Sequence, residues 1–529
     1  MFWKQNNKAY NKVATVPAPI GGLNARDSLA AMPPSDAVVI QNWWPQPYGL
    51  TVRKGYKQWA TGMAGTVGTL AAWNGTDGDN KLFSWADDSL WDVTLRAAVG
   101  SPALTGLQSS YWSHTNFVNA ADSYLIAVNG LDDAIIIDSG GVDRIVAGNG
   151  TDPLTWDGID PEDCSMIIVH QYRIWVIEKG TANGWFLPPD AIQGTFKKVD
   201  FGPLFSRGGY LQALATWTID DGNGAEDHLV AVSSEGEVVV YQGSDPEDDT
   251  KWALVGVYYV GAPVAGNRFV TKMGGDLGVL CQQGVVSLAA QLVSTKVNRA
   301  TDPILSNKIQ FLLSDLISAY GALEGWELHY FPKINMLLIN VPSIVEGGNV
   351  QLVANQIISS WSIFQAMDAA TWAQFNDQPY FGNYDGTALQ AWEGNEDNVD
   401  LDDENGEGII ANVQQAYSYL DVPATQKQVS MYRPTFVVNN PVTVSSAIFY
   451  DFRTLNVPVP GEAPPKLGSL WGSGLWNSAI WGGGSDVQKQ WIQAQGIGVA
   501  ASLGMSIQTT AEVLWVATDY SYVAGVGLL

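Results

Sequence analysis

The side chains best suited to chemistry in this sequence form an acidic cluster at 220–227, with the string DDGNGAED. Its oxygen-bearing members are Asp220, Asp221, Asn223, Glu226 and Asp227. Oxygen ligands in a glycine-containing turn suit Ca²⁺, so these residues are a weak candidate for a calcium site. The spacing does not match an EF-hand loop, which needs a bidentate glutamate at its twelfth position. An acidic β-hairpin turn accounts for the same string, and we therefore predict no bound metal and no cofactor.

Three arginines and four histidines are the remaining candidates for catalysis. A sialidase grips a carboxylate with three arginines, and Arg173, Arg207 and Arg268 are three that could converge. The histidines lie at no metal-ligand spacing, and the sequence has no HExxH or nucleophile-elbow pattern. They are predicted to be strand or hairpin residues: His114, His170, His228 and His329. We predict that the protein is not an enzyme and has no catalytic residues, and a sialidase-like glycosidase is the second alternative.

The charge balance is strongly acidic, with 53 Asp and Glu against 27 Lys and Arg and a formal net charge of −26. Proteins that hold nucleic acid through counterion release need clustered Lys and Arg, so tight DNA binding is not expected. An anionic membrane surface is excluded as a partner for the same reason, because a surface of this sign repels phosphate.

The sequence gives no sign of a membrane anchor or of a disulfide framework. The N-terminal string MFWKQNNKAYNKVATVPAP lacks the apolar stretch of a secretory signal, and no run of 18 apolar residues is present. Two cysteines, Cys164 and Cys281, are too few for a disulfide framework, and Cys281 is expected to be a small buried hydrophobe. We therefore expect synthesis in a reducing cytosol.

The elements that must position these residues are predicted to be β-strands. An apolar, aromatic-rich run, a turn rich in Gly, Asp and Asn, and a second apolar run recur about six times between Val67 and Gly394. The paired runs are 69–73 with 81–85, 124–128 with 134–138, 167–169 with 173–178, 229–233 with 238–242, 277–281 with 285–289, and 378–382 with 388–392. Short strands at a period of roughly 40–50 residues are typical of β-propeller blades. We predict an all-β protein with a β-propeller of about six blades.

The predicted organisation has three parts. Residues 1–60 are an extended arm, irregular over 1–20; residues 61–395 are the propeller; residues 396–529 are a second β domain that the arm joins. Apolar residues at helical spacing predict one helix inserted over 301–322: Ile304, Ile309, Leu312, Leu313, Leu316 and Ile317.

A Trp-rich loop at 469–483 stands apart from the strand pattern. It contains three pentads, SLWGS, GLWNS and AIWGG, and a period of five matches neither a helix nor a strand. Its Trp471, Trp476 and Trp481 are candidates for an intersubunit contact or a channel-lining loop, because Trp is enriched at interface hot spots. The alternative is a loop that these side chains attach to its own β domain.

Several strings together resemble one protein family. The string GGLNARDSLAAMPPSDAVVIQNWWPQPYGLTVRKGY at 21–56 is similar to the entry segment of tail proteins from short-tailed, podovirus-type phages. Two further strings are similar to the propeller core of those proteins, FSRGGYLQALATWTIDDGNGAEDHLVAVSSEGEVVVYQGSDP at 205–246 and WALVGVYYVGAPVAGNRFV at 252–270. The Trp-containing pentads are similar as well. The chain thus resembles the tail nozzle family, also called tail tubular protein B, over most of its length.

The resemblance implies a structural virion protein, located in the phage tail after assembly in the host cytoplasm. The implied partners are five further copies in a homo-hexameric ring, the head-to-tail adaptor ring, and tail fibres or spikes, with fibre docking left open because the chain looks shorter than the largest nozzles. Genome DNA would pass through the ring's channel without tight binding, and a wall of net charge −26 per subunit suits that passage. A carbohydrate- or receptor-binding tail propeller is the first alternative, favoured by the abundant Trp.

Overall fold

The computed structural model describes residues 11–76, 78–148, 154–220, 225–248, 250–294, 303–344, 348–421, 423, 425–453, 457–461 and 486–525. The chain divides into two compact units. The first, which we call the terminal unit, comprises Met1–Lys57, Leu352–Gln365 and Trp392–Leu529. The second, the propeller unit, comprises Gln58–Gln351 and Ala366–Ala391. The predicted boundary of 61–395 differs chiefly at 352–365, which forms part of the terminal unit.

Four sheets, A to D, follow one another along the propeller unit, and neighbouring strands in them are mostly antiparallel. Sheet A contains Val67–Trp73, Lys81–Ala86, Ser89–Asp92 and Leu104–Thr105. Sheet B contains Ser113–Val118, Ser123–Val128, Ala134–Asp138, Gly141–Ala147, Thr155–Asp157 and Gly194–Thr195. Sheet C contains Cys164–His170, Arg173–Glu178, Asn183–Phe186 and Lys197–Asp200. Sheet D contains Leu211–Asp220, Ala225–Ser233, Glu237–Gly243 and Trp252–Tyr259.

Three further groups of strands, E to G, complete the propeller unit. Sheet E contains Val270–Met273, Asp276–Cys281 and Gly284–Ser287, and pair F contains Glu327–Phe331 and Met336–Val341. Sheet G contains Ala369–Phe375, Gln378–Asn383 and Ala388–Ala391, together with Tyr56–Thr61 and Ala97–Ala98. Sheet G therefore combines strands from the beginning and the end of the propeller sequence, which ties the two ends together.

Apolar clusters lie between successive sheets, as expected when blades stack face to face. One cluster joins sheets A and B through Trp85, Trp112 and Ile135, and others join B to C, C to D, and G to A. The first strand of each sheet also packs beside the first strand of the next, in chain order from A to G. The first strand of G in turn packs beside the first strand of A. The structure is therefore a β-propeller. The predicted number of six blades is not confirmed: five sheets, A, B, C, D and G, have the four to six strands of a blade, sheet E has three, and the two strands of F are the first two of a longer sheet.

Helices are few among the described residues. The predicted insert contains an α-helix over Gln310–Tyr320, preceded by a 3₁₀ turn over Asn307–Ile309, and Leu313 and Ile317 form its buried face. A second helix, Leu288–Ser294, was not predicted, because the apolar run at 285–289 reads as a strand. The strand in fact ends at Ser287. The remaining 3₁₀ turns are Pro161–Asp163, Gly202–Leu204 and Pro332–Ile334.

The terminal unit is built from two sheets, H and I. Sheet H contains Lys12–Pro17, Trp43–Gln46, Gly49–Val52, Lys427–Val438, Asp486–Lys489, Ile492–Gln493 and Val513–Ala524. Sheet I contains Ala37–Gln41, Val350–Asn355, Ser360–Phe364, Glu396–Asp397, Glu407–Gln415, Val444–Tyr450 and Ala501–Thr509. The Tyr520 hydroxyl of sheet H donates a hydrogen bond to Gln415 Oε1 of sheet I at 2.8 Å.

The N-terminal arm takes part in these sheets as strands. Lys12–Pro17, within the stretch expected to be irregular, pairs antiparallel with residues 517–522. Only Val16 of this strand is buried, so its apolar pattern is weak and the pairing partner supplies the order. Further along the arm, the Arg53 guanidinium binds both carboxylate oxygens of Asp397 at 2.6 Å, and this buried pair fixes the arm to the start of the C-terminal region.

Candidate functional site

The polar centre of the propeller unit is Arg268, which precedes the first strand of sheet E. Its guanidinium reaches groups on four other elements at the axis. Nη1 lies 3.0 Å from the Gly68 carbonyl oxygen and 2.9 Å from Thr371 Oγ1. Nη2 lies 2.5 Å from Thr69 Oγ1 and 2.9 Å from the Trp112 carbonyl oxygen. The guanidinium also forms an ion pair with Glu327, the first residue of pair F. We call Arg268 and these five partners the axial hub.

Glu327 is the buried anion of the axial hub, with 1% of its side chain exposed. Its Oε1 accepts from Thr371 Oγ1 at 2.8 Å, and its Oε2 accepts from the Trp372 amide at 2.7 Å. His329 Nε2 lies 3.0 Å from the same Oε2. Burial opposes ionisation, but the Arg268 charge and the hydrogen bonds outweigh it and lower the pKa of Glu327 to about 2. The carboxylate therefore stays ionised at neutral pH, and both of its oxygens are bound by groups of the protein.

Two cavities lie on either side of Arg268 along the first strands. The first, of 330 Å³, lies near the beginnings of these strands and is lined by Tyr111, Tyr210 and Trp326 among others. The second, of 240 Å³, lies further along the strands and is lined by His114 and His329 among others. Arg268 and Trp112 of the axial hub border both cavities, as do Ser113 and Asn267.

Two titratable side chains beside the cavities, His114 and Tyr111, are held in their neutral forms. Burial, together with the positive charge of Arg268, lowers the pKa of His114 to about 4. Burial raises the pKa of Tyr111 to about 12. At neutral pH, His114 is therefore an uncharged imidazole and Tyr111 a phenol.

The three arginines considered for a carboxylate clamp have separate partners. Arg173 donates from Nη2 to Asp245 at 3.1 Å. The Arg207 guanidinium lies over the Tyr259 ring, 3.8 Å from its centroid. Neither residue is among the described residues that line the two cavities beside Arg268. Each arginine thus stabilises a different part of the propeller.

The acidic cluster lies at the tip of a hairpin in sheet D. Asp220 ends one strand, Ala225 begins the next, and these two residues are paired in register. Asp221 and Asn223 lie outside the described residues, as do the side chains of Asp220 and Glu226. Asp227 Oδ1 accepts a hydrogen bond from Thr218 Oγ1 at 2.6 Å, across the hairpin. In the described part of the chain, no three His, Cys, Asp or Glu side chains converge as metal ligands.

Other predicted residues have simple positions. The four histidines lie in strands of sheets B, C, D and pair F: His114, His170, His228 and His329. The whole loop at 469–483, with Trp471, Trp476 and Trp481, lies outside the described residues. Among the described residues, no helix combines the length and apolar composition needed to cross a membrane. The axial hub was not predicted from the sequence. The only local signal for it is Glu327, a charged residue at the start of an apolar run.

Comparisons with known proteins give similarity in fold alone. No protein family profile matches the chain, and no curated protein matches it. Solved structures that resemble it include BBS1N in complex with ARL6DN, at 13% identity and a TM-score of 0.30, covering 47% of this chain and 76% of that one. The structure of YCF48 bound to D1 peptide is 12% identical, with a TM-score of 0.35, and the match covers 68% of this chain and 98% of that one. The Myceliophteria thermophila Cps50 (Swd1) β-propeller domain is 10% identical, with a TM-score of 0.36, and the match covers 63% of this chain and 98% of that one. Similarity this low carries no argument about function.

Proposed function

We propose that this chain is a structural subunit of the tail nozzle of a short-tailed bacteriophage. Six copies would form a ring that retains the genome and conducts it during ejection, below the head-to-tail adaptor and in contact with tail fibres or spikes. The observation that carries the proposal is the distribution of charge. The chain has 26 more acidic than basic residues, and most of its arginines are neutralised within the fold.

Among the residues that the structure describes, six arginines lie within 4.0 Å of a carboxylate: Arg26, Arg53, Arg144, Arg173, Arg268 and Arg433. A site that holds DNA needs cations free to neutralise phosphates, and each cation bound to a carboxylate in the fold is lost for that purpose. The surface that remains is acidic. Such a wall keeps phosphates at a distance and favours movement along a channel over binding.

The propeller axis of a single chain is a poor route for DNA. The two cavities beside the axial hub measure 330 Å³ and 240 Å³, at or below the lower end of the size range of small-ligand sites. A conduit built from this chain therefore requires a channel between copies, and a ring supplies one. This reasoning favours an oligomer over a single propeller acting alone.

We also propose that the propeller closes with seven blades, with sheet E and pair F as the two that complete it. The support is the cyclic order of the first strands and the position of Tyr56–Thr61 in sheet G. A strand from the N-terminal side that completes the last blade closes the ring through backbone hydrogen bonds, because both ends of the propeller sequence then lie in one sheet.

The test is the oligomeric state of the purified full-length protein, measured by native mass spectrometry and negative-stain electron microscopy. We expect six-fold rings with a central hole, and no retention of a duplex in gel-shift assays at physiological salt. A positive control replaces three acids of an exposed loop, Asp402→Lys, Asp403→Lys and Glu404→Lys, to show that the assay detects binding. A protein that stays monomeric at micromolar concentration contradicts the nozzle.

A receptor-binding tail propeller is the second candidate, and one observation favours it. The 330 Å³ cavity combines aromatic side chains, Tyr111, Tyr210 and Trp326, with polar ones such as Asn267 and Gln212. Glycan-array binding that is lost on Tyr210→Ala, from a protein that forms no rings, would support this alternative and replace the nozzle.

A further inference from the structure

The last strand of sheet D, Trp252–Tyr259, is an open sheet edge. Among the described residues it pairs with Glu237–Gly243 on one side, and no strand pairs with its other side. Its sequence is WALVGVYY, without a single charge. We call it the edge strand. An open edge presents unpaired backbone groups that another chain can extend.

The edge strand is also the place where exposed apolar side chains concentrate. Leu254, Val255, Val257 and Tyr259 are 44%, 45%, 41% and 42% exposed, four large apolar residues within six positions. Exposed apolar residues elsewhere in the propeller unit are isolated ones, such as Leu95 at 77%. Single exposed apolar residues are ordinary, whereas a contiguous group marks an interaction surface.

The usual protection of an open edge is mostly missing here. Edge strands are normally blunted by charged residues, proline or bulges. This strand has neither charge nor proline, and its one irregularity is a bulge at Val255, because Tyr241 pairs with Leu254 while Val240 pairs with Gly256. The bulge leaves Gly256–Tyr259 as a regular stretch, at whose end the Tyr259 carbonyl oxygen accepts from Gln291 Nε2 at 3.4 Å, so a partner strand would join at the residues before Tyr259.

A second copy is the occupant that this edge suits, because the chain itself contains an uncharged segment long enough to reach it. Each copy has a net charge of −26, so two copies repel one another unless the touching surfaces are uncharged. The side chains of the edge strand are uncharged, and among the described contacts the one cation against it is the Arg207 guanidinium over the Tyr259 ring. Another uncharged segment of the chain is 467–485, which contains the three aliphatic-Trp pairs of the Trp-rich loop. The 24 residues at 462–485 span up to roughly 80 Å when extended, which is enough to reach a neighbour.

We propose that the edge strand is the docking surface for the Trp-rich loop, residues 469–483, of a second copy. The backbone of the loop would add to the open edge, and its Leu and Trp side chains would cover the exposed Val257 and Tyr259, the arrangement known as strand addition. A contact between two different surfaces propagates from copy to copy and can close into a ring. The inference rests on the proposed self-assembly.

A disulfide trap tests the contact between copies. Val257→Cys and Ser478→Cys are made in separate chains and mixed, so that a bond between them joins two copies. The native Cys164 and Cys281 are buried and do not interfere. We expect the disulfide between Val257→Cys and Ser478→Cys to form at least tenfold faster than the one between the matched control, Leu95→Cys, and Ser478→Cys. Equal rates overturn the proposal, as does preferential bonding of Val257→Cys to itself, which would mean edge-to-edge pairing.

A variant that adds charge to the edge strand tests how much this strand contributes to self-association. Leu254→Glu with Val257→Glu should weaken self-association at least tenfold and leave the unfolding temperature of the monomer unchanged, whereas Leu95→Glu should leave self-association unchanged. Rings that form normally with the double variant overturn this inference and leave the nozzle proposal standing. A wild-type protein that forms no ring contradicts the nozzle and this contact together.

Discussion

Arg268→Met should destabilise the propeller more than any surface substitution. The substitution keeps the aliphatic stem and removes the guanidinium that joins Gly68, Thr69, Trp112 and Glu327 across the axis. It leaves the Glu327 carboxylate buried without a cation. Removing one partner of a buried pair costs about 3–5 kcal/mol. Because the Arg268 side chain is 22% exposed, water compensates in part, and we expect about 3 kcal/mol.

The measurement is chemical unfolding followed by Trp fluorescence, with the transition of the propeller unit analysed separately because a two-unit chain need not unfold in one step. A double-mutant cycle with Glu327→Gln isolates the pair. Glutamine keeps the size of the side chain but removes the charge that Arg268→Met leaves stranded. The double variant should therefore cost less than the sum of the single variants, by about 1–3 kcal/mol.

Acid provides an independent check on the same pair. The pKa of Glu327 is lowered in the fold to about 2, from 4.5, so its ionised form stabilises the protein above pH 4.5. That contribution should be lost as the pH falls from 4.5 towards 2, and Glu327→Gln should lack this part of the acid dependence. The control is Lys251→Met, which breaks an exposed pair with Asp248 and should change stability little. A cost below about 1 kcal/mol for Arg268→Met, or an additive cycle, would refute the hub.

Three further outcomes follow from buried groups. Burial lowers the pKa of His170 to about 4, from 6.5, so stability should fall as the pH drops from 6.5 to 4, and His170→Phe should flatten this slope in unfolding measurements. Gly236 has φ +84°, and a Cβ there would lie 2.2 Å from the Gly261 carbonyl carbon, so Gly236→Ala should cost more in unfolding free energy than Gly274→Ala, which has φ +65° and open space. Burial raises the pKa of Cys281 to about 11, so its thiol should not react with a thiol reagent at pH 8 until the protein unfolds.

The strand pairs of the propeller were predictable because each is local in sequence. In all six predicted units the two apolar runs lie in adjacent strands, as Trp85 and Thr69 do in sheet A. Pair F was missed, although Glu327–Phe331 and Met336–Val341 have the same pattern. The reason is the helix at Gln310–Tyr320, which interrupts the period just before it, and the charged residue that begins the first run.

The axial hub was not predictable from local patterns. Its members come from positions as distant as Gly68 and Thr371, and each contributes one contact that leaves no periodic trace in the sequence. Arg268 was selected for another reason, as one of three arginines in a possible carboxylate clamp. The structure explains why an arginine stands there: it is long enough to cross the axis and has enough donors for several carbonyl and hydroxyl groups.

The small number of basic residues affects the axial hub, the surface charge and the proposed contacts between copies. In a chain with 27 basic residues, an arginine placed at the axis or beside Asp397 stabilises one fold but neutralises nothing outside it. The exterior then carries the acidic excess, which opposes both DNA binding and contact between copies. Assembly must therefore use surfaces without charge, and the edge strand is the largest such group of exposed side chains in the described part of the propeller unit. In the proposed ring, the charge distribution that suits a conduit would thus restrict where copies of the chain can meet.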